Sequence, residues 1–266
     1  MRSSKARRNM GGALSLALLA TGTAAYGQEE REERAPRRTR IALGPQLVPS
    51  FPGSDSVSVR PLIDVARARG DDPFPFEAPD ESSGPIVARS NGWQFGVAFG
   101  VEGKRSRNDT DGVLPKVGFT VELGGFVQYE VAPAFRLRTE FRQGLGGHKG
   151  LIGTVSADYV ARDGDQWLFS IGPRATFANG RYNRAYFGIS DETAATSGLS
   201  PYRADGGLQA VGAATGFLYQ LTPRWGIYSY AKYDRLVGDP GRSPVVRNFG
   251  SRNQLSGGVA LSYTFR

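Results

Sequence analysis

Over residues 93–102 every odd position is large and apolar and every even position is small or polar. This period of two is the signature of a strand with one apolar face. The alternation recurs over 117–123, 151–159, 167–174, 215–221, 225–229 and 255–265. In 135–142 it takes a charged form, with Phe135, Leu137 and Phe141 alternating with Arg136, Arg138, Glu140 and Arg142. From Ile41 onward no run of 18 apolar residues occurs, so a spanning helix is not indicated. Counting back from the C-terminus, the pattern predicts strands at 255–265, 225–234, 207–221, 166–177, 151–161, 135–143, 116–131 and 93–103, with two more at 41–50 and 57–66. Residues 74–89 fit a further hairpin with its tip at 79–84, flanked by turn signals at Arg69-Gly70 and Asn91-Gly92, although its prolines oppose pairing. Twelve strands, with that hairpin, are expected, and ten, without it, are the alternative.

Alternation alone suits both a soluble sandwich and a membrane barrel. Connector lengths favour the barrel. The segments 132–134, 162–165 and 222–224 are tight turns, whereas 103–115, 178–206 and 235–254 are long and polar. Short periplasmic turns alternating with longer outer loops, joined by strands of about ten residues, describe a closed antiparallel transmembrane β-barrel of the all-β class. Val97 and its odd-numbered neighbours then face lipid. Trp167, Trp225, Tyr219 and Phe135, beside the turns, supply an interfacial belt.

The net charge of +8 is partly a matter of processing. Arg2, Lys5, Arg7 and Arg8 precede a short apolar run at 13–20 and then small residues, the three-part pattern of a secretory signal peptide. Cleavage is expected after Gly27, with Ala25 as the second choice. Removing 1–27 leaves 29 basic against 25 acidic residues. Residues 28–40 read as a charged, flexible periplasmic lead, and 41–266 as the barrel. Export and the lack of a basic aromatic stripe argue against nucleic-acid binding.

Residue chemistry gives no active site. The chain has no cysteine and one histidine, His148, which removes thiolate and most histidine-based metal sites. His148 lies in a Gly-Gly-His-Lys-Gly loop and reads as an exposed side chain without an assignable nucleophile or orienting group. Gly238-Asp239-Pro240-Gly241 reads as a shaped loop, since one aspartate offers few of the 6–8 oxygens that calcium takes. No catalytic residue, cofactor or metal is expected.

A set of ordered elements resembles the MipA/OmpV family of outer-membrane proteins, named for the MltA-interacting protein. They are Pro52-Gly53-Ser54-Asp55, Gly172-Pro173, Tyr186-Phe187-Gly188-Ile189, Ser197-Gly198-Leu199 with Tyr202, Ala204 and Gly206-Gly207, Tyr233 with Leu236, Gly238-Asp239, Ser243-Pro244-Val245-Val246, and Gly250-Ser251 with Asn253-Gln254. The final strand ends in Tyr263 and Phe265, with Arg266 after the terminal aromatic. The resemblance implies a non-enzymatic barrel in the outer membrane of a Gram-negative bacterium. It further implies a scaffold for a lytic transglycosylase and a peptidoglycan synthase, or a role in adhesion or osmotic response.

Two candidate sites follow from the residues. Arg136, Arg138, Arg142 and Arg174 fall on the inward face with Glu140 and Asp158, as a salt-bridged plug or as the lining of a narrow pore for small solutes. The loops at 178–206 and 235–254 exceed what a hairpin needs and are rich in turn formers. They are expected to pack together as a cap, with Tyr186, Phe187, Tyr202 and Asn253 buried between them. Arginine outnumbers lysine 28 to 5. The loop arginines 105, 107, 181, 184, 203, 242, 247 and 252 are either a solvated surface or a grip on lipopolysaccharide phosphates.

Overall fold

A computed structural model describes residues 35–265. The predicted signal peptide lies outside the described residues, as does most of the lead. Eleven antiparallel strands form one sheet: β1 Arg37–Pro49, β2 Val57–Arg69, β3 Ile86–Ser90, β4 Trp93–Glu102, β5 Thr120–Ala132, β6 Phe135–Gly146, β7 Leu151–Asp163, β8 Trp167–Ala178, β9 Gly207–Gln220, β10 Trp225–Leu236 and β11 Asn253–Phe265. Each strand pairs with its chain neighbour from β3 to β11, β11 then pairs with β1, and β1 with β2. The edges are therefore β2 and β3. Arg60 of β2 lies 3.9 Å from Glu102 of β4, so the sheet curls until its two edges face each other.

Two boundaries differ from expectation at the ends of strands. β1 starts at Arg37, so Arg37–Arg40 belong to the wall and not to the lead; Thr39 and Arg40 pair with Phe265 and Thr264 of β11. β5 starts at Thr120; Val117 bridges to Arg105 instead and turns inward, buried, while Phe119 faces out.

The count of eleven, against twelve or ten, has its cause in residues 70–85. Prolines 73, 75, 79 and 85 remove the N–H groups that a ladder needs. Glu77, Asp80 and Glu81 are ill-suited to a lipid face. This ascending arm leaves the wall and climbs through the interior as a strap; the chain rejoins the wall where Ser83 bridges Phe99 of β4, and the descending arm then pairs as β3 on β4. The turn at Asn91-Gly92 forms as predicted, with both residues at positive φ.

Outward positions are apolar and exposed along nearly every strand, including Ile63, Phe95, Phe99, Leu123, Leu137, Phe141, Ile171, Phe217 and Leu261. Val97 is half-buried, because its carbonyl oxygen lies against the strap at Gly84. At the short-turn end, strand register stacks aromatics side by side. Trp93 meets Tyr129 at 4.6 Å between ring centroids, Phe135 meets Tyr159 at 5.2 Å, and Trp225 meets Tyr263 at 4.7 Å. Trp167 lies opposite Tyr219. The inner face has two characters. Ala42, Leu62, Leu218, Tyr228 and Ala260 make an apolar patch from β1, β2, β9, β10 and β11, and the charges are concentrated on β5 to β8, with Arg40, Asp64 and Lys232 beside the patch.

Candidate functional site: an interior ion network under a folded cap

The period of two fixes which β6 residues enter the interior, and register fixes what they meet. Arg136 sits opposite Asp158 of β7, and Ser156 sits opposite both Arg138 of β6 and Arg174 of β8. Asp158 joins two arginines: its Oδ2 accepts from Arg136 at 2.8 Å and its Oδ1 from Arg174 at 2.8 Å. Arg138 donates to Glu140 at 2.9 Å and to Gln128 at 3.0 Å, with its guanidinium carbon 3.6 Å from the centre of the Phe126 ring. Arg142 bridges Glu140 and, at 2.8 Å, Glu122. The six sequence-predicted residues thus fall in two clusters, one of Arg136, Asp158 and Arg174 and one of Arg138, Glu140 and Arg142, linked through Glu81 of the strap.

The strap supplies partners that strand periodicity does not reveal. Arg174 forks onto Asp80, with Nε 3.0 Å from Oδ2 and Nη2 3.1 Å from Oδ1. Lys232 of β10 reaches the same carboxylate at 3.2 Å, so Asp80 ties the strap to β8 and β10, two strands separated only by β9. Glu81 pairs with Arg136, and Ser82 donates to Glu140 at 2.8 Å. Lower down, the guanidinium carbons of Arg38 and Arg40 lie 4.9 and 4.8 Å from the centre of the Phe74 ring, and Arg162 donates to the Phe74 carbonyl at 2.9 Å. Paired in this way, the buried charges offset through mutual attraction and hydrogen bonds the desolvation penalty that each pays on leaving water.

Four short helices fill the long loops: α1 Gly180–Phe187, α2 Asp191–Ser197, α3 Gly238–Arg242 and α4 Pro244–Phe249. Asn179 and Ser190 cap the first two by accepting from Tyr182 and Thr193. Tyr186 and Phe187 are fully buried against Phe51, Leu236 and Val246. Tyr202 is half-buried and donates to the Asp239 carbonyl at 2.9 Å; Ser243 donates to the Phe187 carbonyl at 2.7 Å. The two loops therefore pack together. A backbone N–H bond from Asp205 and the Arg242 guanidinium hold the Asp239 carboxyl below its usual range. Gly53, at φ +95°, lets the first loop approach Phe187; a Cβ there would stand 2.8 Å from its ring.

Three side chains differ from expectation. Asn253 is exposed and accepts from Tyr233 and Arg235, whereas its neighbour Gln254 is buried and binds Gly53 and Ser54. A one-residue step along a strand exchanges the faces. Arg105 is buried, donating to the Tyr186 and Pro115 carbonyls at 2.9 and 3.0 Å. Burial holds its guanidinium down to about 10, still charged at neutral pH. His148 is buried as well, packed on Tyr182 at 4.7 Å between centroids. Its Nδ1 accepts from the Gly150 N–H at 3.0 Å, and its Nε2 is 3.0 Å from Glu122. Both ring nitrogens are engaged. Among the described residues no group of three or more His, Asp or Glu side chains is placed to hold a metal.

A curled antiparallel sheet with an apolar outer face, an aromatic belt at one end and a charged interior defines an outer-membrane barrel protein. The chain belongs to the MltA-interacting protein family, MipA, whose sequence profile matches residues 41–265. Its place is the outer membrane of a Gram-negative bacterium. Solved structures similar to it include an outer-membrane channel from Pseudomonas putida F1, at 10% identity over 87% of this chain and 96% of that one, with a TM-score of 0.40. The NanC porin is 10% identical over 86% and 99%, with a TM-score of 0.37. The N-terminal β-barrel domain of Pseudomonas aeruginosa OprF is 9% identical over 88% and 100%, with a TM-score of 0.29. No curated protein sequence matches the chain.

Proposed function

We propose that the wall curls round in the membrane as a plugged barrel whose one seam lies between β2 and β3, and that the protein is a non-enzymatic interaction and structural element of the outer membrane, scaffolding peptidoglycan-remodelling enzymes. The observation that carries the plug is Asp80, through which the strap, leaving the wall between β2 and β3, is held to Arg174 of β8 and Lys232 of β10 on the far side of the interior. A strap pinned across the interior favours an obstructed lumen over the pore reading. The engaged imidazole of His148 leaves no free base there, which supports a non-catalytic role. The partner class rests on the family's name, MltA-interacting protein: a lytic transglycosylase, with a peptidoglycan synthase as its companion, reached through the short turns because the cap covers the other end. The exposed arginines 107, 181, 184, 203, 242, 247 and 252 face lipopolysaccharide phosphates.

Affinity capture of the mature protein from crosslinked envelopes tests the scaffold. A lytic transglycosylase is expected in the eluate, and its reproducible absence would remove this role. Planar-bilayer recording tests the plug, since steady conductance from the unmodified protein would favour the pore. The lipid-facing wall has its own check in Ile171→Arg, near the middle of β8 and 47% exposed. It is expected to cost about 2–4 kcal/mol near the bilayer midplane, read from urea unfolding in lipid vesicles. An unchanged midpoint would show that this face does not meet hydrocarbon.

A further inference from the structure

β2 and β3 each have a laddered neighbour on one side only. Both run toward the short-turn end, β2 antiparallel to β1 and β3 antiparallel to β4. Two facing strands of the same direction leave room between them for one strand of the opposite direction. The strap holds that place in chain order and has vacated it for the interior. What remains is a groove of about 1100 Å³, with Ile63, Val65 and Arg67 on one edge, Val87 and Arg89 on the other, and Tyr228 and the strap, with Glu77 and Glu81, on its inner side.

The chemistry of the groove selects its occupant. Its outer rim is apolar, with Ile63 62% and Val87 68% exposed. An acyl chain covers such side chains but offers nothing to the N–H and C=O groups along two free strand edges, which hydrocarbon leaves unpaired. An extended peptide satisfies both edges at once. At the short-turn end Arg67 and Arg89 approach from opposite edges, and neither makes an ion pair among the described residues. The chain's own lead, with four glutamates and two arginines in 28–34, has no apolar alternation to match the rim.

We infer that the groove binds an extended segment of another protein, added as a strand antiparallel to both β2 and β3. Alternate residues of that segment are apolar toward lipid, and an acidic group passes between Arg67 and Arg89. The inference rests on the reading of the wall as a barrel in the membrane, and it gives the proposed interaction role a surface within the wall itself.

The test uses the mature protein in lipid nanodiscs and a dye-labelled synthetic peptide of about ten residues, the length of a spanning strand, alternating valine and threonine and ending in two aspartates. Because the chain has no cysteine, I63C/V87C joined by a bis-maleimide shuts the groove as a control. Saturable binding by fluorescence anisotropy is expected, and it disappears in the shut variant. Backbone N-methylation of the probe, which deletes ladder donors, is expected to weaken it about tenfold or more, as is R67E/R89E. Equal binding of the N-methylated peptide would show an apolar slot of the kind a lipid fills and would overturn the strand. Binding no better than to empty nanodiscs would overturn it too. Heat-modifiable electrophoretic mobility of the same sample separates the two levels: its loss refutes the barrel, whereas an intact barrel that ignores the probe refutes only the docked strand.

Discussion

Asp158→Ala is expected to destabilise the protein by about 3–5 kcal/mol, the cost of removing one partner from a buried ion pair. Asp158 receives Arg136 and Arg174 at 2.8 Å each, and all three side chains are buried. Its removal leaves the two guanidinium groups facing each other across β6 and β8 with one fewer counter-charge. The strap's carboxylates remain: Glu81 still pairs with Arg136, and Asp80 with Arg174. The variant is therefore expected to fold, with its urea midpoint in detergent shifted downward. Asp80→Asn separates stability from obstruction. It removes the charge that holds Arg174 and Lys232 to the strap, so open-channel events are expected in bilayer recordings while the wall, with its ladders intact, keeps its heat-modifiable mobility. A silent Asp80→Asn variant would show that the interior is blocked by something other than this tether. An Asp158→Ala midpoint equal to that of the unmodified protein would show that the network carries little of the fold's stability.

The wall was legible because a membrane imposes two solvents on one strand. Phe135, Leu137 and Phe141 can face only hydrocarbon, and Arg136, Arg138 and Arg142 only the interior, so period and polarity agree and strand bounds follow within a few residues. Periodicity says which face a residue takes and not which residue it meets. Asp80 reaches Arg174 across 94 positions, through a strap whose prolines announce only that it will not ladder. Glu122 and Lys232 lie on the inward face of β5 and β10 by the same alternation, and their identity as partners emerges only once the sheet curls. His148 and Arg105 were misplaced for a different reason. A loop of polar and glycine residues reads as solvated, but here α1 supplies Tyr182 and Tyr186 as a small core, and His148 and Arg105 pack into it with their polar atoms bound to Glu122, Gly150 and backbone carbonyls.

Phe187→Ala is expected to cost the cap about 3–5 kcal/mol, the range for truncating a buried phenylalanine. Phe187 is fully buried at the point where three connectors meet: its own loop, the first loop at Phe51 and Gly53, and Val246 of α4. The strand ladders do not depend on it. The loss is therefore expected as local opening of the cap and not as unfolding of the wall, since regions held by few contacts open below the global free energy. Trypsin on intact cells reads that opening. Arg181, Arg184 and Arg203 are exposed side chains on a backbone held by α1 and the Ile189–Tyr202 bridge, so the unmodified cap is expected to resist cleavage there. A tag inserted at the exposed Arg107 reports surface display; the buried Arg105 is unsuited to that use. In Phe187→Ala, rapid cleavage at all three arginines is expected, with the protease-resistant wall left behind as a discrete fragment. Ser243→Ala deletes the bond to the Phe187 carbonyl and the N-cap of α4, and it is expected to give a smaller increase in cleavage, in line with about 1 kcal/mol for a cap. Equal, slow cleavage of all three proteins would show that the loops hold their shape without Phe187 between them, and rapid cleavage of the unmodified protein would show that no packed cap exists on the cell.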